Sequence, residues 1–423
     1  MREDFLHYIW KHKKLVHNNL KTAKGETISV ISAGQHNTNS GPDFFNAQLK
    51  IDNQLWAGNV EIHVKSSDWF LHNHEQDKAY NNVILHVVWE HDIDVFRKDS
   101  SVIPVLEIKD MINQELLSNY NKLYATKGTW INCENDFATI DNFTLNNWLE
   151  RLFFERLERK SNTIEALLQK TKNDWEAVCF AMLAKNFGLK VNGDAFFSLA
   201  QSIDFSVLRK LQSNQITLEA LLFGQSGLLN TTAENAYYQE LLGEYRFLKQ
   251  KYGLDSTSVL PVQFFRLRPL NFPTIRLSQL ASLYSMHKNL FMQILETKTL
   301  DGFYKLFQIK TVTFWETHYT FQKTSKKTIK KLSKPFIDLL LINTVLPLKL
   351  CYARQNGNDI NDEIIKISEA IPAEKNNIVD TFNNLRKSAT SALQSQAFIQ
   401  LKTEYCDKQR CLQCAIGNLL LTQ

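Results

Sequence analysis

The residues best equipped for chemistry stand between Asp43 and His86: Gly41-Pro-Asp43, then Glu61-Ile-His63-Val-Lys65, Asp68, His72-Asn-His74 and His86. On an extended strand side chains alternate, so Glu61, His63 and Lys65 share one face while Val60, Ile62 and Val64 share the other. Asp43 precedes Glu61 by enough chain for a strand, a turn and a return strand, so a hairpin can set the two carboxylates side by side. Such a pair offers the hard oxygen ligands that Mg2+ or Mn2+ takes. A neighbouring Lys65, assisted by His63, can then hold a nucleophilic water or offset charge on a phosphoryl oxygen. That is a phosphodiester-hydrolysis site in outline, with Asp43 and Glu61 as metal ligands. The plainer alternative is the wet face of a two-sided sheet. His72 and His74, with Asp77, are either Zn2+ ligands or surface and supporting side chains, and Asp68 is a supporting side chain. His86, inside an apolar run, is a core histidine that can orient a carboxylate if a site lies beside it.

A second cluster lies far along the chain. Cys406-x4-Cys411-x2-Cys414 holds half of the six cysteines. Thiolates so spaced can share Zn2+ or an iron–sulfur cluster if Cys351, Cys133 or a histidine supplies a fourth ligand; otherwise they are three reduced thiols. Lys323, Lys326, Lys327, Lys330, Lys331 and Lys334 step by three and one, which predicts six like charges on one helix face, either an ordinary solvated face or one that takes a polyanion such as nucleic acid. Phe264 to Arg276 interleaves aromatics with arginine, as single-strand binders do, although core anchoring explains it as well. Neither a Gly-rich phosphate loop nor a dinucleotide fingerprint occurs, so no nucleotide cofactor is expected.

The elements that must position these groups fall in two regions. The chain has 423 residues with only 14 Gly and 8 Pro, which excludes low-complexity and collagen-like classes and favours helix. An amphipathic helix is expected over residues 3–20. Strands are expected over residues 27–33, 45–51, 60–64, 83–89 and 102–108, and a closing helix over 110–124. This makes residues 1–128 an α/β domain with a mixed sheet of about five strands. Residues 140–423 read as a larger, mostly α-helical domain, with helices near 145–157, 175–187, 235–252, 277–295, 336–345 and 378–401. The net charge of +5 excludes a histone-like coat of positive charge. The first residues lack a signal peptide's apolar core, and the most apolar stretch, 336–350, contains Asp338, Asn343 and Pro347 and is short of a bilayer's thickness. The expected compartment is the cytoplasm, with no membrane span.

Pro42-Asp43 followed by Glu61-x-His63-x-Lys65, between a helix and three strands, resembles the PD-(D/E)XK, restriction-endonuclease-like nuclease superfamily. The resemblance implies an αβββαβ core and metal-dependent cleavage of DNA or RNA. His63 stands where that superfamily has an acid two residues before its lysine, so either Glu61-x-His63 replaces the acid-x-lysine pair or Glu61 reaches across with Lys65 kept. Asn39-Ser-Gly-Pro-Asp-Phe, Val60-Glu-Ile-His-Val-Lys-Ser-Ser-Asp-Trp, Ala79-Tyr-Asn-Asn-Val-Ile-Leu-His-Val-Val and Arg268-Pro-Leu-Asn-Phe-Pro-Thr look like a full-length bacterial family of unknown function, which implies no activity. The leading expectation is thus a nuclease-like protein. The alternatives are a hydrolase of another phosphoester, or a non-enzymatic nucleic-acid or protein-binding scaffold with structural zinc.

Overall fold

The structure is a computed structural model that describes residues 1–16, 20–125 and 128–423. The chain forms two compact units. A sheet unit comprises Met1–Trp148 together with Lys402–Gln423, and a helical unit comprises Leu149–Leu401. The cysteine-bearing end therefore belongs with the sheet, not with the helices it follows in sequence.

The sheet unit opens with α1 (Glu3–Lys11), whose Phe5, Leu6, Ile9 and Trp10 are buried. It is shorter than the expected 3–20 because Lys13 takes a left-handed φ of 50° and Leu15 leaves to bridge Ile112; residues 17–19 of that expectation lie outside the described residues. The strands are β1 (Leu20–Lys21), β2 (Thr27–Ser32), β3 (Gln35–His36), β4 (Phe44–Ile51), β5 (Gln54–Lys65), β6 (Val83–Glu90) and β7 (Val105–Glu107). Among the described residues they make a seven-stranded mixed sheet in the order β1-β2-β4-β5-β6-β7, with β3 paired to β4. The two strands beyond the expected five are the dipeptides β1 and β3, too short to leave a period-two pattern.

The β2-β4-β5 meander is antiparallel, whereas β6 and β7 continue parallel to β5. A short crossover with one helical turn, α2 (Asp68–Leu71), joins β5 to β6. One face of the sheet packs beneath α1 and α3 (Gln114–Ala125), with Phe44, Leu49, Val60, Ile62, Leu85 and Val87 in the core. Trp69, Tyr80, Val88 and Val105 cover part of the other face. The parity of β4 is set by a bulge: the register shifts between Phe44 and Ala47, and Asn46 sits at a φ of 56°. The extra residue puts Phe44 on the core side with Ala47, Leu49 and Ile51.

In the helical unit, Asp174 and Asn214 cap the helices Trp175–Phe187 and Gln215–Gln225 by accepting from backbone N–H groups. The single helix expected over 277–295 is two, Pro273–Met286 and Leu290–Glu296. That expected over 378–401 is also two, Asn377–Leu385 and Ala392–Gln400, the latter restarted by a Ser391–Gln394 capping box. Lys334–Gln355 is long and apolar enough by composition to cross a membrane, yet 78% of its apolar window is buried within the protein, as in a core helix.

Candidate metal centre

The approach to Asp43 is a preformed turn. The Asn37 side-chain amide donates to the carbonyls of Asn39, Ser40 and Pro42 at 3.0–3.2 Å, and Gly41 takes a φ of +100°, a conformation that favours glycine. Asp43 emerges beside Glu61 on the neighbouring antiparallel strand, and the two carboxylates are held reciprocally by main chain. The Asp43 N–H donates to Glu61 Oε2 at 3.1 Å, and the Ile62 N–H donates to Asp43 Oδ2 at 2.9 Å.

Two imidazoles, those of His63 and His74, close over Glu61, and a third, His72, joins them. His74 Nε2 lies 3.3 Å and His63 Nε2 3.5 Å from Glu61 Oε1, and His72 Nδ1 lies 3.1 Å from His63 Nε2. Ligand atoms of His63, His72 and His74 all lie within 4.8 Å of one another. His63 is buried, His74 half-buried and His72 exposed, so the cluster has a closed floor and an open mouth. His74 is fixed by stacking on Tyr80, with centroids 3.8 Å apart. Beneath the floor, His86, paired with Glu61 across β5 and β6, places Nε2 2.9 Å from His63 Nδ1. If His63 gives its Nδ1 proton to His86, its Nε2 lone pair faces Glu61 and His72, the arrangement in which metal-binding histidines are held.

The electrostatics describe a site short of positive charge. Burial, then the Asp43 carboxylate, pushes Glu61 up to about 9. Burial, then His74 and His72, pushes His63 down to about 3. Burial also lowers His74, so burial disfavours the charged form of all three groups, a cost that a bound cation would offset. His7 behaves oppositely. Burial opposes its charge, but its hydrogen bond to Asp43 and that carboxylate's charge prevail and raise it, and its Nε2 lies 3.2 Å from Asp43 Oδ2. Glu3, one helical turn before His7 on α1, is raised by burial and then by Asp43. The donor set fits a cation: imidazoles suit Zn2+ and other first-row transition metals, and Asp43 and Glu61 suit Mn2+ as well.

Asp43, Glu61, His63, His72, His74 and His86 thus converge. Lys65 lies exposed where β5 ends, its main-chain N–H donating to Asp68 at 2.9 Å. Asp68 is in this way a turn-holding acceptor, and Asp77 is another, accepting from the Ala79 N–H at 2.8 Å; the third imidazole beside His72 and His74 comes from His63. Glu3 and His7 are additions from α1, whose signal was an acid and a histidine spaced i, i+4 on an amphipathic helix.

The lysine stripe needs correction. Residues 323–333 form no helix. Thr324 bridges His318 and Lys331 bridges Lys310, and helix begins only at Lys334 with Pro335 in its first turn. Thr324, Ser325, Thr328 and Ser333 supply hydroxyls and β-branching that disfavour helix and suit extended chain. Lys330 is buried with its ammonium donating to the Glu316 carbonyl at 3.0 Å, Lys327 faces Glu316 at 3.7 Å, and Lys334 lies over the Tyr304 ring. Lys323, Lys326 and Lys331 are exposed, so the six make no common face. Arg276, from the arginine-aromatic phrase, is buried against the Phe336 ring. Cys406, Cys411 and Cys414 gather with Cys133 in the sheet unit, whereas Cys351 lies in the helical unit.

A model of a family described as protein of unknown function (DUF2851) matches residues 3–377. No curated protein and no solved structure matches the chain.

Proposed function

The chain therefore belongs to this family of unknown function, and from its site we propose that it is a metal-dependent phosphodiester hydrolase with a restriction-endonuclease-like catalytic unit acting on DNA or RNA. The observation that carries the reading is the locked Asp43–Glu61 pair on adjacent antiparallel strands beneath three convergent imidazoles. The topology supports it too: α1, an antiparallel three-strand meander, a short crossover and a parallel strand follow the αβββαβ order.

Glu61, His63, His72 and His74 would hold the cation, with Asp43 beside them. A bound divalent ion supplies Lewis-acid polarisation of a phosphoryl oxygen and lowers the pKa of water. The protein's own contribution is orientation. The Ile62 N–H and His7 aim Asp43, His86 aims His63, and the exposed His72 edge leaves the approach to the cluster open. Lys65 shares the strand face of Glu61 and His63 and is exposed, so its ammonium is available to a phosphate.

A second reading rests on the same donors. Three imidazoles and one carboxylate fill a tetrahedral sphere, as in closed structural zinc sites, and would make the unit a non-enzymatic binding module. Cleavage of single- and double-stranded DNA and RNA with Mg2+, Mn2+ or Zn2+ separates the two. Hydrolysis by wild type that falls at least about 100-fold in Asp43→Ala supports the enzyme. Stoichiometric metal without cleavage of any of these substrates supports the module, and equal cleavage by wild type and Asp43→Ala overturns the assignment of this site.

A further inference from the structure

The C-terminal segment of the sheet unit returns as the turn Cys411–Gln413 and the helix Ala415–Thr422. Its Leu412 and Leu421 enter the core under α1 and α3, and Cys411 and Cys133 pack at that core's edge. The contacts are specific. Tyr124 donates its hydroxyl to the Gln409 carbonyl at 3.3 Å, Asn132 donates its amide to Gln409 Oε1 at 3.0 Å, and Asn119 reaches the Leu421 carbonyl at 3.4 Å. Gly417 lets the helix press on the turn, because a Cβ there would lie 2.0 Å from the Cys411 carbonyl oxygen.

These contacts bring Cys133, from the polar stretch before the helix Asn142–Lys170, into the Cys406, Cys411 and Cys414 group. Cys406 lies within electrostatic reach of the other three thiols, and Cys133 within reach of Cys411 and Cys414. None of the four is in a disulfide. The Asn132 amide donates toward Cys411 Sγ at 3.5 Å, and the Ile416 and Gly417 N–H groups at the start of the last helix turn toward Cys414.

We propose that Cys133, Cys406, Cys411 and Cys414 form a four-thiolate metal centre for a thiophilic metal, the iron of an iron–sulfur cluster ahead of zinc, which fastens the C-terminal segment to the rest of the sheet unit. The C-x4-C-x2-C spacing with a remote fourth cysteine is one that iron–sulfur clusters use, and among the described residues only the donors of His63, His72 and His74 lie, as a group of three, within 4.8 Å of one another, so the sulphurs stand farther apart than a single tetrahedral zinc holds its ligands. The centre is separate from the histidine–carboxylate cluster and stands whether or not that cluster cleaves phosphodiesters.

The test uses the full chain purified anaerobically. Elemental analysis for zinc and iron, assay of acid-labile sulfide, and X-ray absorption at the edge of the metal found are read on wild type. A stoichiometric metal with a shell of sulphur neighbours is expected, which distinguishes this centre from a metal held by imidazoles and carboxylate. Cys133→Ser is expected to lose most of the sulphur-bound metal, while Cys179→Ser, a buried cysteine of the helical unit, keeps it. Wild type without sulphur-bound zinc or iron overturns the proposal even if Cys133→Ser fails to fold, and so does a folded Cys133→Ser that retains the wild-type amount.

Discussion

His86 is closed off from solvent with its Nε2 2.9 Å from His63 Nδ1, and if it accepts that proton the His63 Nε2 lone pair is left toward Glu61. His86→Ala is expected to weaken Zn2+ or Mn2+ binding about 10–100-fold by calorimetric titration, with part recovered in His86→Gln, whose amide oxygen can accept the same proton. Unchanged affinity in His86→Ala would remove this orienting role. The sequence offered His86 as a core histidine that could orient a carboxylate; it is buried, but its ring meets His63, because strand parity shows which face a residue takes and not which ring it meets. Glu3 and His7 were missed for a related reason: their i, i+4 spacing is visible, but only the packing of α1 on the sheet turns that edge toward Asp43. A second buried acid gives a pH prediction. Glu219 accepts hydrogen bonds from Ser278 and Tyr237, and burial pushes it up to about 8 from the ordinary 4.5. The folded chain keeps this proton where the unfolded chain has released it, so its contribution to stability is complete below pH 4.5 and is lost as pH rises toward 8, by about 1.4 kcal/mol per pH unit at most. Denaturation of Glu219→Gln across that range should show a flatter profile than wild type.

The β4 bulge does for the site what no single ligand can, since it seats Phe44 in the core and leaves Asp43 on the opposite side next to Glu61. Asn46→Val puts a β-branched residue at a φ of 56°. It should cost about 1–3 kcal/mol and reduce metal affinity along with stability, whereas Asn46→Gly keeps both near wild type. Equal metal binding in the folded Val and Gly variants would show that the bulge does not position Asp43. In the helical unit Lys349 is a buried cap, with its ammonium donating to the carbonyls of Ile294, Leu295 and Thr297 at 2.8–3.0 Å and facing Glu363 at 2.8 Å. Lys349→Met should cost about 3 kcal/mol by denaturant titration, because several acceptors and a carboxylate lose their partner at once. At this scale the long strands were legible from alternation and apolar runs, and the helices from 3.6-residue periodicity. The lysine stripe was misread because charge spacing alone cannot outweigh Thr324, Ser325 and Thr328, and the breaks near His287 and Arg386 carried no Gly or Pro to announce them.

The helical unit is an insertion within the sheet unit: about 250 residues separate Trp148 from Lys402, and the strand and helix patterns locate that change without showing that the chain comes back. Only the cysteines hinted at a return, since three of them needed a partner from elsewhere. Removing residues 402–423 should leave the helical unit's thermal transition in place. It should lower or abolish the sheet unit's transition, because loss of buried Leu412 and Leu421 costs about 2–5 kcal/mol each and the thiols go with them. Two calorimetric transitions of which only one shifts would bear this out; a truncated chain with both unchanged would refute it. The discontinuity also sets an order of assembly. A ribosome adding about 5–20 residues per second needs roughly 10–50 s to make the inserted helices after Trp148 has emerged, so the unit whose synthesis begins first is the last to be completed, and its core waits through that interval with the places of Leu412 and Leu421 unfilled.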